Sequence, residues 1–362
     1  MAASSFTSLP NEGDQESQGY QTTYKRCNDI IPTLPRDTGW WLSNLCQYQG
    51  FWLSSSHAIL GLMLVQDHFM SKPTDIILAT SPKCGTTWLR ALIFATINRT
   101  SYDFATHPLL TNNPQALVPF LEGHIRVNDS TSFLESLPSP RFLSTHIPYS
   151  LFPDSMKTSG PKFVYVCRNP KDVLVSKWKF AEKMRPKEMP PLSLQDAFEL
   201  FCNGVSHYGP FWDHVLSYWK ASLETPETVL FLIYEDMKRE PLVQVKRLAE
   251  FLGKPFSPEE EREGVVQEIV RLCSFKNLST LEVNKSIIST EYFVQNPYFF
   301  RKGEVGDWEN HLTPEMVARL DQITKEKLEG ILCDKWKVRI DLSREENDGE
   351  QSTDQLPTPR SE

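Results

Sequence analysis

Several large protein classes are excluded by what this sequence lacks. Its seven cysteines are odd in number and include no C-x-x-C pair, so neither a disulfide framework nor a thiolate zinc site is expected, and no metal is. No apolar run approaches the roughly 20 residues a bilayer span requires. The most apolar window, AILGLMLVQDHFM, is broken by Gln66 and Asp67. The N-terminus has no basic start, no apolar stretch and no arginine, so it reads as neither a secretory signal nor a transit peptide. A reducing, cytoplasmic setting without a membrane partner is expected. A cationic surplus is missing too: the formal net charge is -8, which argues against nucleic acid as a partner.

That charge sits at the ends. Residues 1–24 carry Glu12, Asp14 and Glu16 with no Lys or Arg, and residues 342–362 carry six acids against Arg344 and Arg360. The two polar tails hold -7 of the -8 and are expected to be disordered, leaving a near-neutral body over 25–341. A chain of 362 residues, 40% apolar, permits one large α/β domain or two smaller ones. No repeat or long linker divides the body, so a single domain is expected.

What is present is an alternation of apolar strands and helices. DIILAT leads into TTWLRALIFATIN, KFVYVC into DVLVSKWKFAEKM, and TVLFLIYEDM into PLVQVKRLAEFLG. Short continuous apolar runs suit strands buried on both faces, and the alternation predicts an α/β fold with a central parallel sheet flanked by helices. The first junction, SPKCGTTWLR, is a small-residue loop opening a helix, the arrangement that cradles phosphate groups. It lacks G-x-x-x-x-G-K-[ST], and with it the hydroxyl that ligates magnesium beside the lysine. The domain is therefore P-loop-like rather than a plain P-loop kinase.

Ligands of open α/β sheets lie beyond the carboxyl ends of the strands, so the junctions should share one crevice. Gly85 permits close backbone approach, Thr86 and Thr87 offer hydroxyls, and Lys83 adds a point charge. Arg168 follows the second strand, with Ser176 in the next helix, and Tyr234 with Glu235–Asp236 ends the third. Arg301, Lys302 and Gly303 form a basic turn. Two cationic centres result, one at Lys83 and one drawing on Arg168 and Arg301–Lys302. Each feature alone has a plain alternative: a tight turn, a surface ion pair, a helix entrance at GDW or at Glu235–Asp236. The aromatic stretch TGWWLSNLCQYQGFWL reads as core packing, with a pocket wall as the alternative.

In order and content, SPKCGTTWLRAL, STHIPYSLFP, CRNPKDVLVSKWKF and FFRKGEVGDWENHLTPEM resemble the soluble sulfotransferases, the plant cytosolic, flavonol-sulfotransferase-like branch in particular. The resemblance runs from Trp40 to Trp336. It implies 3′-phosphoadenosine 5′-phosphosulfate as donor and a hydroxyl of a small molecule as acceptor. It assigns Lys83, Cys84, Gly85, Thr86, Thr87 and Trp88 to the 5′-phosphosulfate and adjoining adenosine. Arg168, Ser176, Arg301, Lys302 and Gly303 fall to the 3′-phosphate, and Tyr234, Ser274 and Phe275 to the nucleoside. His146 in STHIP becomes the catalytic base and Phe120 a substrate wall; Phe142, Tyr149, the aromatic 40–53 segment and EYFVQNPYFF are further wall candidates. The resemblance leaves flavonoids, other phenolics, brassinosteroids, hydroxyjasmonates, salicylates and desulfoglucosinolates open as acceptors.

Three departures from the family pattern stand out. Ser144 occupies a position where animal relatives carry lysine. Cys84 stands where serine is common, and beside Lys83 at a helix start a lowered thiol pKa and sensitivity to oxidation are one expectation; a tolerated small residue is the plainer reading. Glu309 and Pro314 break the animal dimer motif, leaving the oligomeric state open. The alternatives are a small-metabolite kinase using magnesium and ATP, and a nucleotide-binding relative without turnover.

Overall fold

The computed structural model describes residues 12–41, 44–54, 57–128, 131–286 and 294–328. Three short strands, β1 (Arg36–Thr38), β2 (Asn44–Tyr48) and β3 (Phe51–Ser54), form an antiparallel meander in the order β1-β2-β3. Four parallel strands make the central sheet: β4 (Ile76–Thr80), β5 (Phe142–Thr145), β6 (Lys162–Cys167) and β7 (Val229–Ile233), ordered β5-β4-β6-β7. Every residue of β4, β5 and β7 is buried, as a sheet covered on both faces requires. Helices flank the sheet, so the α/β expectation with a central parallel sheet holds.

Because the four strands are parallel, their carboxyl ends lie at one edge. Thr80 leads into the 81–85 loop and helix α3 (Thr86–Ile97; α1 is Glu12–Ile30 and α2 Ala58–His68). Thr145 leads into His146, Cys167 into Arg168, and Ile233 into Tyr234. Three of these junctions were expected from the apolar runs; β5 was not. Its second half, Ser144–Thr145, is polar yet buried, so no apolar run announced it.

The opposite edge is pinned by a buried ion pair, Arg141 to Asp75, with Nη2 2.5 Å from Oδ2. On one face, Leu78, Val164 and Leu232 pack with Leu89, Leu92 and Ile93 of α3 in a single apolar cluster. The bent backbone between β4 and α3 follows: Lys83 and Gly85 both have positive φ, +77° and +104°. Positive φ is uncommon for a non-glycine residue and marks strain of the kind that gathers at functional sites.

The expected N-terminal tail differs from the structure. Helix α1 begins at Glu12, inside the 1–24 segment, and buries Tyr20, Thr23 and Cys27. These lie three and four residues apart, one helical stripe. Thr23 Oγ1 donates to Asp67 of α2 at 2.6 Å, and the Tyr20 ring stacks on His68 at 4.3 Å. The acidic composition concealed that stripe. At the other end a compact unit closes at Thr313, and a second begins with the helix Pro314–Leu328, where a single domain to 341 was expected. The expected C-terminal tail, 342–362, lies outside the described residues.

Candidate active site

Beyond the carboxyl edge lies a cavity of about 480 Å³. Lys83, Gly85, Thr86, Thr87, Trp88, Phe120, His146, Arg168, Ser176, Tyr234, Ser274, Phe275, Arg301, Lys302 and Gly303 all line it. Cys84 does not. Its side chain is fully buried and desolvation pushes the thiol up to about 12. The reactive-thiol possibility is therefore corrected: the residue is turned away from solvent, and burial outweighs Arg168 and Lys177. A rise from 9.0 to about 12 lowers the thiolate fraction about a thousand-fold. Iodoacetamide should label Cys84 in the folded protein at least about a hundred-fold more slowly than a free thiol. Peptide mass spectrometry reads this, and a rate matching free thiol would overturn it.

The glycines act differently from the simplest reading of a phosphate loop. A Cβ on Gly85 would lie 2.8 Å from the Tyr234 ring, and one on Gly303 2.5 Å from Phe275. Each glycine lets an aromatic ring close against the loop, so the two aromatics become fixed walls of the cavity. Trp88 meets Tyr234 edge to face at 5.5 Å, extending that wall.

Around this wall sit the cations. The Lys83 ammonium lies 4.1 Å from the Phe180 ring centroid. Desolvation, then Arg301, Arg168 and Lys183, lowers it to about 7. Arg168 Nη2 donates to Glu304 O at 2.7 Å and Nη1 to Lys83 O at 3.4 Å, tying its guanidinium to the first loop. Asp172 completes the brace: it pairs with Arg168 at 3.6 Å and accepts from the Gly306 and Trp308 amides at 2.8 and 3.1 Å. Asp307 holds Arg301 and Lys302 together, the latter at 2.5 Å, and these bonds keep its carboxyl well below the usual range. Arg168 Nε and Arg301 Nε are buried without a hydrogen-bond partner. Two orphaned guanidinium donors in one cavity suit an anion there, because a buried unsatisfied donor is costly.

His146 occupies the other half. Its Nδ1 is 2.7 Å from Thr80 O. A carbonyl only accepts, so Nδ1 carries the proton and Nε2 keeps its lone pair. The ring lies between Phe120, at 5.1 Å, and Tyr208, at 5.4 Å. Burial first, opposed by the Thr80 bond, lowers His146 to about 3, so the imidazole is neutral at neutral pH. Glu122 fixes the segment: Oε1 accepts from the His146 amide at 2.9 Å and Oε2 from Thr145 Oγ1 at 2.8 Å. His214 Nε2 donates to His146 O at 2.9 Å, its Nδ1 meeting the Tyr165 hydroxyl at 3.0 Å.

The remaining candidates divide. Ser274 caps the helix Phe275–Thr280, its hydroxyl accepting from the Asn277 amide at 3.2 Å. Trp40 is core, donating to Val205 O at 2.8 Å, whereas Trp41 lines the cavity and stacks on His207 at 3.7 Å. Phe142 and Tyr149 do not line it, Phe142 packing in the core cluster and Tyr149 against Phe163 and Tyr218. Of EYFVQNPYFF, Val294, Phe299 and Phe300 line the cavity, and residues 291–293 lie outside the described residues. Glu235 accepts from the Asn169 amide at 2.9 Å and Asp236 pairs with Arg239, so this acidic strand end serves loop packing. Sequence reasoning missed Glu122, Asp172, Asp307, Arg90, Arg126, His207 and Tyr208. Only Asp307, five and six residues past the basic pair, carried a local signal.

A parallel sheet that gathers cationic side chains and a neutral histidine beyond the carboxyl ends of its strands has its ligand site where open α/β sheets bind ligands. Residues 73–331 match the family model described as a sulfotransferase domain. Cytosolic sulfotransferase 16 of Arabidopsis thaliana is 46% identical over 312 residues, spanning 85% of this chain and 92% of that protein. Cytosolic sulfotransferase 1 of the same plant is 51% identical over 292 residues, spanning 79% and 88%. Among solved structures, mouse sulfotransferase SULT7A1 complexed with PAP superposes with a TM-score of 0.65 at 27% identity, covering 83% of this chain and 99% of that one. The chain belongs to the sulfotransferase family.

Proposed function

We propose that this sulfotransferase moves the sulfuryl group of 3′-phosphoadenosine 5′-phosphosulfate to a hydroxyl of a small acceptor, with His146 as general base. The observation that carries the proposal is the pairing of the neutral His146 ring, Nδ1–H tied to Thr80 O, with two cationic centres in one cavity. The mouse relative solved with PAP supports the donor. The names of the Arabidopsis relatives support a cytosolic setting.

The donor supplies a sulfuryl group on a phosphate leaving group. Lys83 and the first amides of α3 lie where its 5′ end would seat, and Arg168, Ser176, Arg301, Lys302 and Gly303 would hold the 3′-phosphate. Thr86, Thr87 and Trp88 would flank the phosphosulfate, and Tyr234, Ser274 and Phe275 the nucleoside. Cys84 would contribute backbone alone. His146 Nε2 takes the acceptor hydroxyl's proton as the oxygen bonds to sulfur and the sulfur–oxygen bond to the 5′-phosphate breaks. Lys83 and the helix-start amides stabilise the charge gathering on that phosphate oxygen. Phe120 walls the acceptor beside the base. The transferred group carries less charge than a phosphoryl group, so a metal ion is not obligatory for this chemistry.

A thermal-shift and transfer experiment tests this. Adenosine 3′,5′-bisphosphate without magnesium should stabilise the protein, and labelled sulfate should pass from donor to at least one plant phenolic or hormone. Stabilisation by magnesium–ATP alone would favour the kinase. Nucleotide binding with no transfer across the panel would favour a binder without turnover.

A further inference from the structure

The cavity is more cationic than its donor needs. Its lining contains seven lysines and arginines (Lys83, Arg90, Arg126, Arg168, Lys238, Arg301 and Lys302) and one carboxylate, Glu122. Four of the seven, Lys83, Arg168, Arg301 and Lys302, are spoken for by the donor in the reading above. Lys238 lies 5.6 Å from the Trp88 ring, on the donor side. Two cations remain on the His146 side, Arg90 and Arg126.

Arg90 has structural work: Nη2 donates to Ser144 Oγ at 2.5 Å and its guanidinium lies 5.8 Å from the Phe120 ring centroid. Arg126 has none of this kind. It is half-buried in the last turn of the helix Leu121–Asn128 and has no carboxylate partner among the described residues. Glu122, one turn earlier on the same face, forms no ion pair with it among the described residues: its oxygens accept from Thr145 Oγ1 and the His146 amide, and burial pushes its carboxyl up to about 7, so much of its charge is lost at neutral pH. Nor does a second cation replace it. His57, on the same wall, is held below its usual pKa by burial and then by Arg126 itself, so it stays neutral.

We propose that the acceptor is a hydroxy acid, an aromatic hydroxyl compound whose anionic group pairs with Arg126 while its hydroxyl meets His146. Phe120, Trp41 and Tyr208 supply flat apolar walls between the two ends. The helix sets the span. Glu122 touches the His146 amide and Arg126 lies four residues on, a rise of about 6 Å, so the hydroxyl and the acid group lie roughly 6–10 Å apart. An uncharged phenol would leave Arg126 without an ion-pair partner among the described residues, and an acceptor carrying a basic group would meet two arginines. This inference rests on the sulfotransferase reading for what happens to the hydroxyl, but not for what binds.

The test therefore reads binding. The protein loaded with adenosine 3′,5′-bisphosphate is titrated calorimetrically with para-hydroxybenzoate and para-hydroxyphenylpropionate, each against its uncharged methyl ester. At least one acid should bind about ten-fold or more tightly than its own ester, a preference that weakens as salt rises. In Arg126→Gln that acid-to-ester ratio should collapse toward one, and in Arg126→Lys it should be partly kept. Equal binding, or tighter binding of the ester, in both pairs with the wild-type protein overturns the proposal without recourse to any variant. An acid preference unchanged in Arg126→Gln also overturns it, and assigns the anion to Arg90. Sulfate transfer to the esters, measured in parallel, reports on the sulfotransferase reading separately.

Discussion

Replacing His146 with alanine is expected to lower kcat by about 10²–10⁴-fold while leaving the affinity for adenosine 3′,5′-bisphosphate nearly unchanged. Among the described residues the side chain's hydrogen bonds run through Nδ1 to Thr80, at 2.7 Å to O and 3.2 Å to Oγ1, and its lone pair at Nε2 is the acceptor that a hydroxyl proton needs. The cationic centres that would hold the donor lie after β4 and β6 and in the 301–303 turn, so binding and proton transfer separate. Single-turnover transfer and a nucleotide-induced thermal shift measure the two quantities. Near-normal turnover in His146→Ala would remove the residue as base, and loss of nucleotide binding would make it a structural residue.

The pH dependence adds a second reading of the same group. A base works in its neutral form, and a lowered pKa keeps it neutral to lower pH. With His146 at about 3, its protonation does not reduce kcat/KM until the pH falls below about 5. The opposite limb is expected from Lys83. Desolvation lowers it to about 7, so its charge, and with it the stabilisation proposed for the leaving oxygen, should be lost as pH rises through that value in the free enzyme. An acid limb near pH 6.5 that disappears with His146 would contradict the buried-base account.

Arg168→Ala should weaken adenosine 3′,5′-bisphosphate binding by about 2 kcal/mol or more, roughly thirty-fold or more, and adenosine 5′-phosphate by much less. Arg168 Nε is a buried donor without a partner, and its neighbour Arg301 carries another. The same side chain also bonds Lys83 O and Glu304 O, so its removal loosens both loops and affects both nucleotides to some degree. The ratio of the two losses is therefore the readout. Arg168→Lys keeps the charge and loses the fork, and should fall between. Equal losses for both nucleotides would reduce Arg168 to a loop brace.

Much of the fold was legible because burial wrote itself into apolar runs. IILAT, KFVYVC and VLFLI are strands whose two covered faces demand continuous hydrophobic residues, and the loop after the first is marked by Gly85 and two threonines. The buried stripe of α1 was hidden because Tyr20, Thr23 and Cys27 are scattered among acidic and amide residues. The β5 strand was hidden for a related reason. Ser144 and Thr145 are polar residues buried on bonds from Arg90 and to Glu122, partners far away in the chain.

By itself the sequence determined the family and the α/β class, and it named the lysine, arginines and histidine that the fold gathers around one cavity, because order and spacing along the chain are local properties. Tertiary structure alone decided how those residues are used. It turned Cys84 into the core, set Gly85 and Gly303 against Tyr234 and Phe275 rather than leaving them open, and tied Arg301 and Lys302 to Asp307. It also put Arg126 and His57 on the wall of the cavity that His146 lines. Those outcomes depend on which groups exclude water from which, and desolvation is a property of the packed whole that no stretch of chain carries alone.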